Sequence, residues 1–156
     1  MNRTPIALAC LFVALIALPT SAQADLLSEY RWQNRLLLVF AANPNDPERN
    51  QLQHALDRSA CELTDRDMVI GWFHETGGNR LGTKAVEPDT ADYLRGRIGV
   101  SPTEFLVVLI GKDGGIKARY PQAPALSEVF DLIDGMPMRR SERRQRGLDC
   151  PGPQMP

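Results

Sequence analysis

The run Arg35-Leu36-Leu37-Leu38-Val39-Phe40-Ala41 is apolar at six consecutive positions and passes straight into Ala42-Asn43-Pro44-Asn45 and a helix start at Asp46-Pro47. A strand without polar alternation is one covered on both faces, which requires a layered α/β arrangement with helices on either side of a sheet. Asp46 is suited to cap the helix, with Pro47 in its first turn, and Leu52, Leu56, Ala60 and Leu63 then fall on one stripe. Met68-Val69-Ile70-Gly71-Trp72-Phe73 reads as a second buried strand parallel to the first.

Residues 74–88 hold three glycines and no periodicity, which predicts a long exposed loop before a helix over Asp89 to Arg97. A third strand follows at Phe105 to Ile110. Lys112-Asp113-Gly114-Gly115 carries the Asp-Gly signal of a tight hairpin into Ile116 to Tyr120. The last helix is expected to start at Ser127 as its N-cap, and Pro137 to break or restart it. A short helical lead containing Leu26, Leu27 and Tyr30 precedes the first strand. The expected fold is therefore α/β with the order βαβαββα, a mixed sheet with helices on both faces, which is the core order of a thioredoxin-like domain.

The ends define the compartment and the domain limits. Arg3 followed by the uncharged apolar run Ile6 to Leu18 and then Ala22-Gln23-Ala24 has the layout of a signal peptide over residues 1–24, cleaved after Ala24. Its 13 apolar residues end at Pro19, short of the roughly 20 needed to span a bilayer, and no later stretch in the mature chain is long enough. A periplasmic or secreted location follows. The leucine of Ala7-Leu8-Ala9 is misplaced for a lipid attachment signal at Cys10. The remaining 132 residues suit one domain over 25–137, followed by an arginine-rich helix and a Pro/Gly-rich tail over 138–156. With 17 basic and 19 acidic residues the mature chain has no bulk field to recruit nucleic acid.

Tyr30-Arg31-Trp32-Gln33-Asn34-Arg35-Leu36-Leu37-Leu38-Val39-Phe40, Leu109-Ile110-Gly111-Lys112-Asp113-Gly114-Gly115 and Ile133-Asp134-Gly135-Met136-Pro137-Met138-Arg139-Arg140 together resemble the domain-of-unknown-function family 4174. The resemblance covers roughly residues 26–145. It implies a thioredoxin-like, peroxiredoxin-related fold and a kinship with domains of secreted sushi-repeat and extracellular-matrix proteins. Such domains lack the peroxiredoxin cysteine, in agreement with the junction in this chain.

A thioredoxin-type redox centre needs a thiolate at the N-terminus of the first core helix, where unpaired N–H groups and the helix dipole depress its pKa. Asn43, Pro44, Asn45 and Asp46 stand there instead. Two readings are open: these residues only cap the helix, or Asn43 and Asn45 face Ser101-Pro102-Thr103 across a shallow cleft that binds a partner. In the second, a proline, often cis, leaves backbone groups of that loop free for the partner's extended chain. Signal cleavage removes Cys10 and leaves Cys61 and Cys150. Both expected helices finish at one end of the sheet, so a Cys61–Cys150 disulfide is one reading and two free thiols the other.

Arg139, Arg140, Arg143, Arg144 and Arg146 lie within eight positions, with Glu142 the one acid among them. They offer either a surface for an anionic partner or a merely solvated helix face. His54 falls off the apolar stripe and reads as a surface residue. His74-Glu75 lacks a histidine at the position four on, which is Gly78, and nothing nearby completes a metal site. Gly77 to Lys84 lacks the phosphate-loop order Gly-Lys-Ser/Thr. Trp32, Trp72 and Phe105 read as core. No cofactor or metal is expected. The function these observations favour is a non-enzymatic binding or adhesion module for an extracytoplasmic protein or anionic surface. The alternative is an atypical thiol oxidoreductase or peroxiredoxin-like enzyme using Cys61 and Cys150.

Overall fold

The structure, a computed structural model, describes residues 26–146 and Cys150. The expected leader with its Ala22-Gln23-Ala24 site, and the Pro/Gly-rich end beyond Cys150, lie outside the described residues. Strand β1 (Arg35–Ala41) is buried at every position and sits inside a six-stranded sheet of order β4-β3-β2-β1-β5-β6. It pairs in parallel with β2 (Met68–His74) from Arg35↔Met68 to Ala41↔His74. On its other side it runs antiparallel to β5 (Leu106–Ile110), which turns into the edge strand β6 (Ile116–Tyr120).

The period of two in a strand divides the β1 run between two cores. Leu36, Leu38 and Phe40 pack with Phe73 and with Ala91, Leu94 and Ile98 of α3 (Pro88–Ile98). Leu37 and Val39 face the other way, onto Leu52 and Leu56 of α1 (Pro47–Asp57) and Val129 and Ile133 of α4 (Leu126–Asp134). The expected mixed sheet with helices on both faces is present, and the short lead is a 3₁₀ turn at Ser28–Tyr30.

Four local expectations are corrected. The helical stripe is not continuous: Ser59 leaves helical geometry at φ −114°, ψ 26°, and a separate α2 (Ala60–Asp65) follows, carrying Cys61 near its start. The stretch read as loop contains a hairpin, β3 (Asn79–Leu81) and β4 (Lys84–Val86), turned at Gly82 with φ +59°. Its strands are too short for a periodic signal; they form because Leu81 and Val86 bury and the His74 amide donates to the Asn79 side chain at 2.7 Å. Helix α4 begins one residue before Ser127, with Ala125 at the N-cap, because Leu126 is drawn into the core. Trp32 is 64% exposed and not core: its φ of +66° and the hydrogen bond its amide donates to the Lys112 carbonyl at 2.6 Å turn the ring outward.

Pro137 restarts the chain as α5 (Pro137–Arg146), as expected. Among the described residues no helix is long and apolar enough to cross a membrane.

Gly71 shows how tightly the α3-side core is filled. A Cβ there would lie 2.7 Å from Phe73 Cε2 and 2.8 Å from Leu38 Cδ2, both held inside the sheet. Gly71→Ala is therefore expected to destabilise the protein by about 1–3 kcal/mol through overpacking, read as a lower urea midpoint with an unchanged slope. Unaltered stability would mean the core has slack that this packing denies.

Candidate functional site

At the C-terminal end of β1 the chain turns through Asn43, whose Oδ1 accepts from the Asn45 amide at 2.9 Å, and reaches Asp46. The Asp46 carboxylate accepts the amides of Glu48 and Arg49 at 3.0 and 3.1 Å. These are first-turn donors of the kind that would stabilise a thiolate at this place, and a carboxylate of the chain itself occupies them. The expected cap is thus observed in atomic detail.

The neighbouring loop is tied down from within. Arg95, only 4% exposed, donates to the carbonyls of Ala41 and Phe73 at 3.2 and 2.9 Å and to that of Pro102 at 3.4 Å. The Ser101 amide donates to Glu104, whose own amide returns to the Ser101 carbonyl. No peptide bond among the described residues is cis, so Pro102 is trans. The Ser101 amide and carbonyl and the Pro102 carbonyl are therefore in use within the chain. Exposed side chains remain at Asn45, Ser101 and Thr103, while Asn43 is half-buried.

His74 closes the β2 end of the same region. Its Nδ1 lies 2.9 Å from the Gly78 carbonyl and its Nε2 is buried without a partner. Burial, and then the charges of Arg49, Arg95 and Arg80, hold its pKa below the usual imidazole value against the raising effect of the Gly78 contact, so the ring is neutral at pH 7. Among the described residues no three His, Cys, Asp or Glu side chains converge as a metal site. His54 is exposed on α1.

The other end of β1, about 20 Å away for a strand of this length, holds the arginine segment and the cysteines. Arg139 is fully buried: it forms ion pairs with Asp65 and with Asp134, the latter at 3.0 Å, and donates to the Asp65 carbonyl at 2.7 Å. It is an internal strut, which corrects its placement on a surface. Glu142 accepts from Arg35 at 3.0 Å and Lys112 at 2.8 Å, and Arg146 pairs with Asp67 at 2.8 Å. Arg140, Arg143 and Arg144 are exposed. Cys61 and Cys150 form a disulfide with Cα atoms 5.7 Å apart, joining α2 to the chain just past α5.

Arg35, Asp65, Asp67, Lys112 and Asp134 are structural residues that sequence reasoning missed. The signal available was an arginine, Arg35, opening an otherwise apolar run.

With this geometry in place, comparison with known proteins defines the family. The model of the domain of unknown function DUF4174 matches residues 26–142. The chain belongs to that family. Coiled-coil domain-containing protein 80 of Danio rerio is 27% identical over 146 residues, which is 81% of this chain and 17% of the relative. Sushi repeat-containing protein SRPX of Homo sapiens is 29% identical over 123 residues, covering 76% of this chain and 26% of the relative. This DUF4174 chain therefore spans about a quarter or less of the length of these curated relatives. The reduced 2-Cys peroxiredoxin of Plasmodium vivax superposes with a TM-score of 0.56 at 13% identity, over 74% of this chain and 84% of that one. Thioredoxin peroxidase I of Plasmodium yoelii gives 0.52 at 16% identity, over 83% and 86%. The fold is thioredoxin-like.

The network around α5 has a definite pH dependence. Burial alone would raise the carboxyl pKa values of Asp67, Asp134 and Glu142. Hydrogen bonds outweigh it, from Lys112 and Arg146 to Asp67, from Arg66 and Arg139 to Asp134, and from Lys112 and Arg35 to Glu142. All three lie below the ordinary carboxylate range when folded, so their stabilisation is complete above about pH 4–5 and is lost as pH falls through the depressed values. The melting temperature should be level above that range and fall below it. Arg139→Gln, which leaves Asp65 and Asp134 with Arg66 as their remaining cation, should cost up to about 3–5 kcal/mol at pH 7. A thermal-melt series checks both, and a melting temperature unchanged by Arg139→Gln would contradict the strut.

Proposed function

We propose that this chain is an exported thioredoxin-like binding module, periplasmic or secreted after cleavage behind Ala24, and not a thiol enzyme. The observation that carries the reading is the capped helix start: Asp46 takes the Glu48 and Arg49 amides where a redox thiolate would sit. The cysteine pair at the far end is committed to tying α2 to the end of α5. The signal-peptide layout of residues 1–24 and the family's kinship with sushi repeat-containing proteins support an extracytoplasmic setting.

Two surfaces offer partner contacts. One is the cleft of Asn43, Asn45, Ser101, Pro102 and Thr103, working chiefly through side chains because the Ser101 backbone and the Pro102 carbonyl are engaged. The other is the exposed face of α5 with Arg140, Arg143 and Arg144, suited to an anionic surface; Arg139 and Arg146 hold the helix in place.

The oxidised mature protein is expected neither to reduce insulin disulfides nor to consume hydrogen peroxide above a Cys61→Ser/Cys150→Ser control. Turnover above that control would favour the oxidoreductase alternative and overturn the module.

For the α5 face, retention on anionic vesicles at low salt should disappear when Arg140, Arg143 and Arg144 become glutamine, with no loss of melting temperature. It should also vanish near 0.5 M salt, where screening acts within roughly 3–8 Å. Retention unaffected by the triple substitution would leave those arginines a solvated face.

A further inference from the structure

Five large apolar side chains are well exposed among the described residues, and three of them, Trp32, Ile116 and Met138, lie around one turn. The Trp32 amide donates to the Lys112 carbonyl, Ile116 opens β6 directly after Gly115, and Met138 lines one cavity with Gly111, Lys112 and Asp113. This turn stands where β1 starts, since Ile110 pairs with Leu36, and Glu142 of α5 reaches both Arg35 and Lys112 there. We propose that this end of the molecule docks on an anionic phospholipid bilayer, with Trp32, Ile116 and Met138 dipping into the interface and the exposed arginines on the headgroups. The inference rests on the reading of α5 as a face for an anionic partner, and it names that partner.

Trp32 carries the apolar half. Its φ of +66° lies in the left-handed region, where a bulky residue is strained, and its neighbours hold the strain in place. Next to the Trp32 amide, Arg31 Nε donates to the Asp113 carbonyl at 3.0 Å. Gly114, at φ +83°, leaves room for that guanidinium, because a Cβ there would lie 3.2 Å from Arg31 Nε. The ring is thereby presented to solvent from a pinned turn. An indole, with an apolar body and one N–H donor, suits the boundary between acyl chains and headgroups.

Charge carries the other half. At this end Asp65, Asp67, Asp113, Asp134 and Glu142 are each ion-paired to a lysine or arginine of the clamp or the turn. Arg31, Arg140, Arg143 and Arg144 are exposed, and among the described residues no carboxylate engages them. The bonds printed by their geometry go to the Asp113 and Gly135 carbonyls and the Ser141 hydroxyl. Four cations are therefore left to meet an outside anion. An anionic leaflet strengthens attachment roughly fivefold for each basic residue held within a Debye length of it.

The combination selects a bilayer over other occupants. An acidic polysaccharide answers the arginines and leaves the three apolar side chains in water. A second copy of the chain would set the arginines of one end against those of the other. A protein partner gains most from a contiguous apolar face, whereas Trp32, Ile116 and Met138 rise from three separate elements. A fluid interface takes such side chains singly and adds its headgroup charge to the basic residues beside them.

The test is intrinsic fluorescence of the oxidised mature protein with vesicles of phosphatidylglycerol in phosphatidylcholine. The chain has two tryptophans, and Trp72 is 3% exposed, so Trp32 is the one whose surroundings change on docking. Binding should move the emission to shorter wavelength, and lipids brominated in their acyl chains should quench it. Phosphatidylcholine alone and heparin should do neither. Trp32→Ala should weaken attachment to the anionic vesicles about tenfold, equivalent to leaving roughly 60 Å² of apolar surface in water, without changing retention on heparin. Attachment with no emission shift, an equal shift on heparin, or full vesicle affinity in Trp32→Ala would overturn the proposal and leave the α5 charge reading standing. Absence of any attachment to the anionic vesicles would overturn both. Quenching in the unaltered protein decides the matter should the variant fail to fold.

Discussion

Arg139, enclosed between Asp65 and Asp134, is the contact on which the far end of this fold depends. Taking a guanidinium out of water costs several kcal/mol, and the cost is offset only where carboxylates and a carbonyl meet it in good geometry. That requirement places α5 beside the turn from α2 into β2. From there Glu142 reaches Arg35 and Lys112, Arg146 reaches Asp67, and Cys150 meets Cys61. The most highly charged helix among the described residues is thereby a structural element first. Its exposed residues are what remains for a partner.

Asp67 is the second node. It holds φ +50°, a conformation aspartate tolerates better than most residues, at the turn where α2 gives way to β2. Its carbonyl accepts the Arg35 amide at 2.9 Å and the Asn34 side chain at 3.3 Å, which registers the start of β1. Its carboxylate accepts Lys112 and Arg146. One residue thus couples the central strand, the β5–β6 turn and α5. At the opposite end the buried Arg95 side chain holds three carbonyls, so each end of β1 is pinned by a charged residue. The thioredoxin-like frame is kept, with Asn43 to Asp46 at the helix start and the Cys61–Cys150 pair at the clamp.

What could be read beforehand was local. Six consecutive apolar residues after Arg35 imply a strand covered on both faces, Asp46-Pro47 is a complete helix-start signal, and Asp113-Gly114 specifies its turn within a few residues. An even cysteine count and helices ending at one side of a sheet left the disulfide as one of two readings, and what decides between them is tertiary, not local. The strut was not readable, because Arg139 meets Asp65 at a separation of 74 positions and looks in sequence like four neighbouring surface arginines. The β3–β4 hairpin escaped for a similar reason: two strands of three residues have no measurable period, and their support from Asn79 and the core is tertiary. Trp32 looked like core by type, and a single positive φ sent it outward.

The central claim is that α5 is held to the sheet by a buried ion-pair strut reinforced by one disulfide, on a core that forms without them. In the chain-entropy model closing a loop of 89 residues contributes about 4–5 kcal/mol. Amide hydrogen exchange on the oxidised and the reduced mature protein at pH 7 measures this directly. Faster exchange confined to α5 and the Arg66–Asp67 turn on reduction, with β1, β2 and β5 still protected, is the predicted result. Equal protection of α5 in both states, or loss of β1 protection together with α5, would contradict the account.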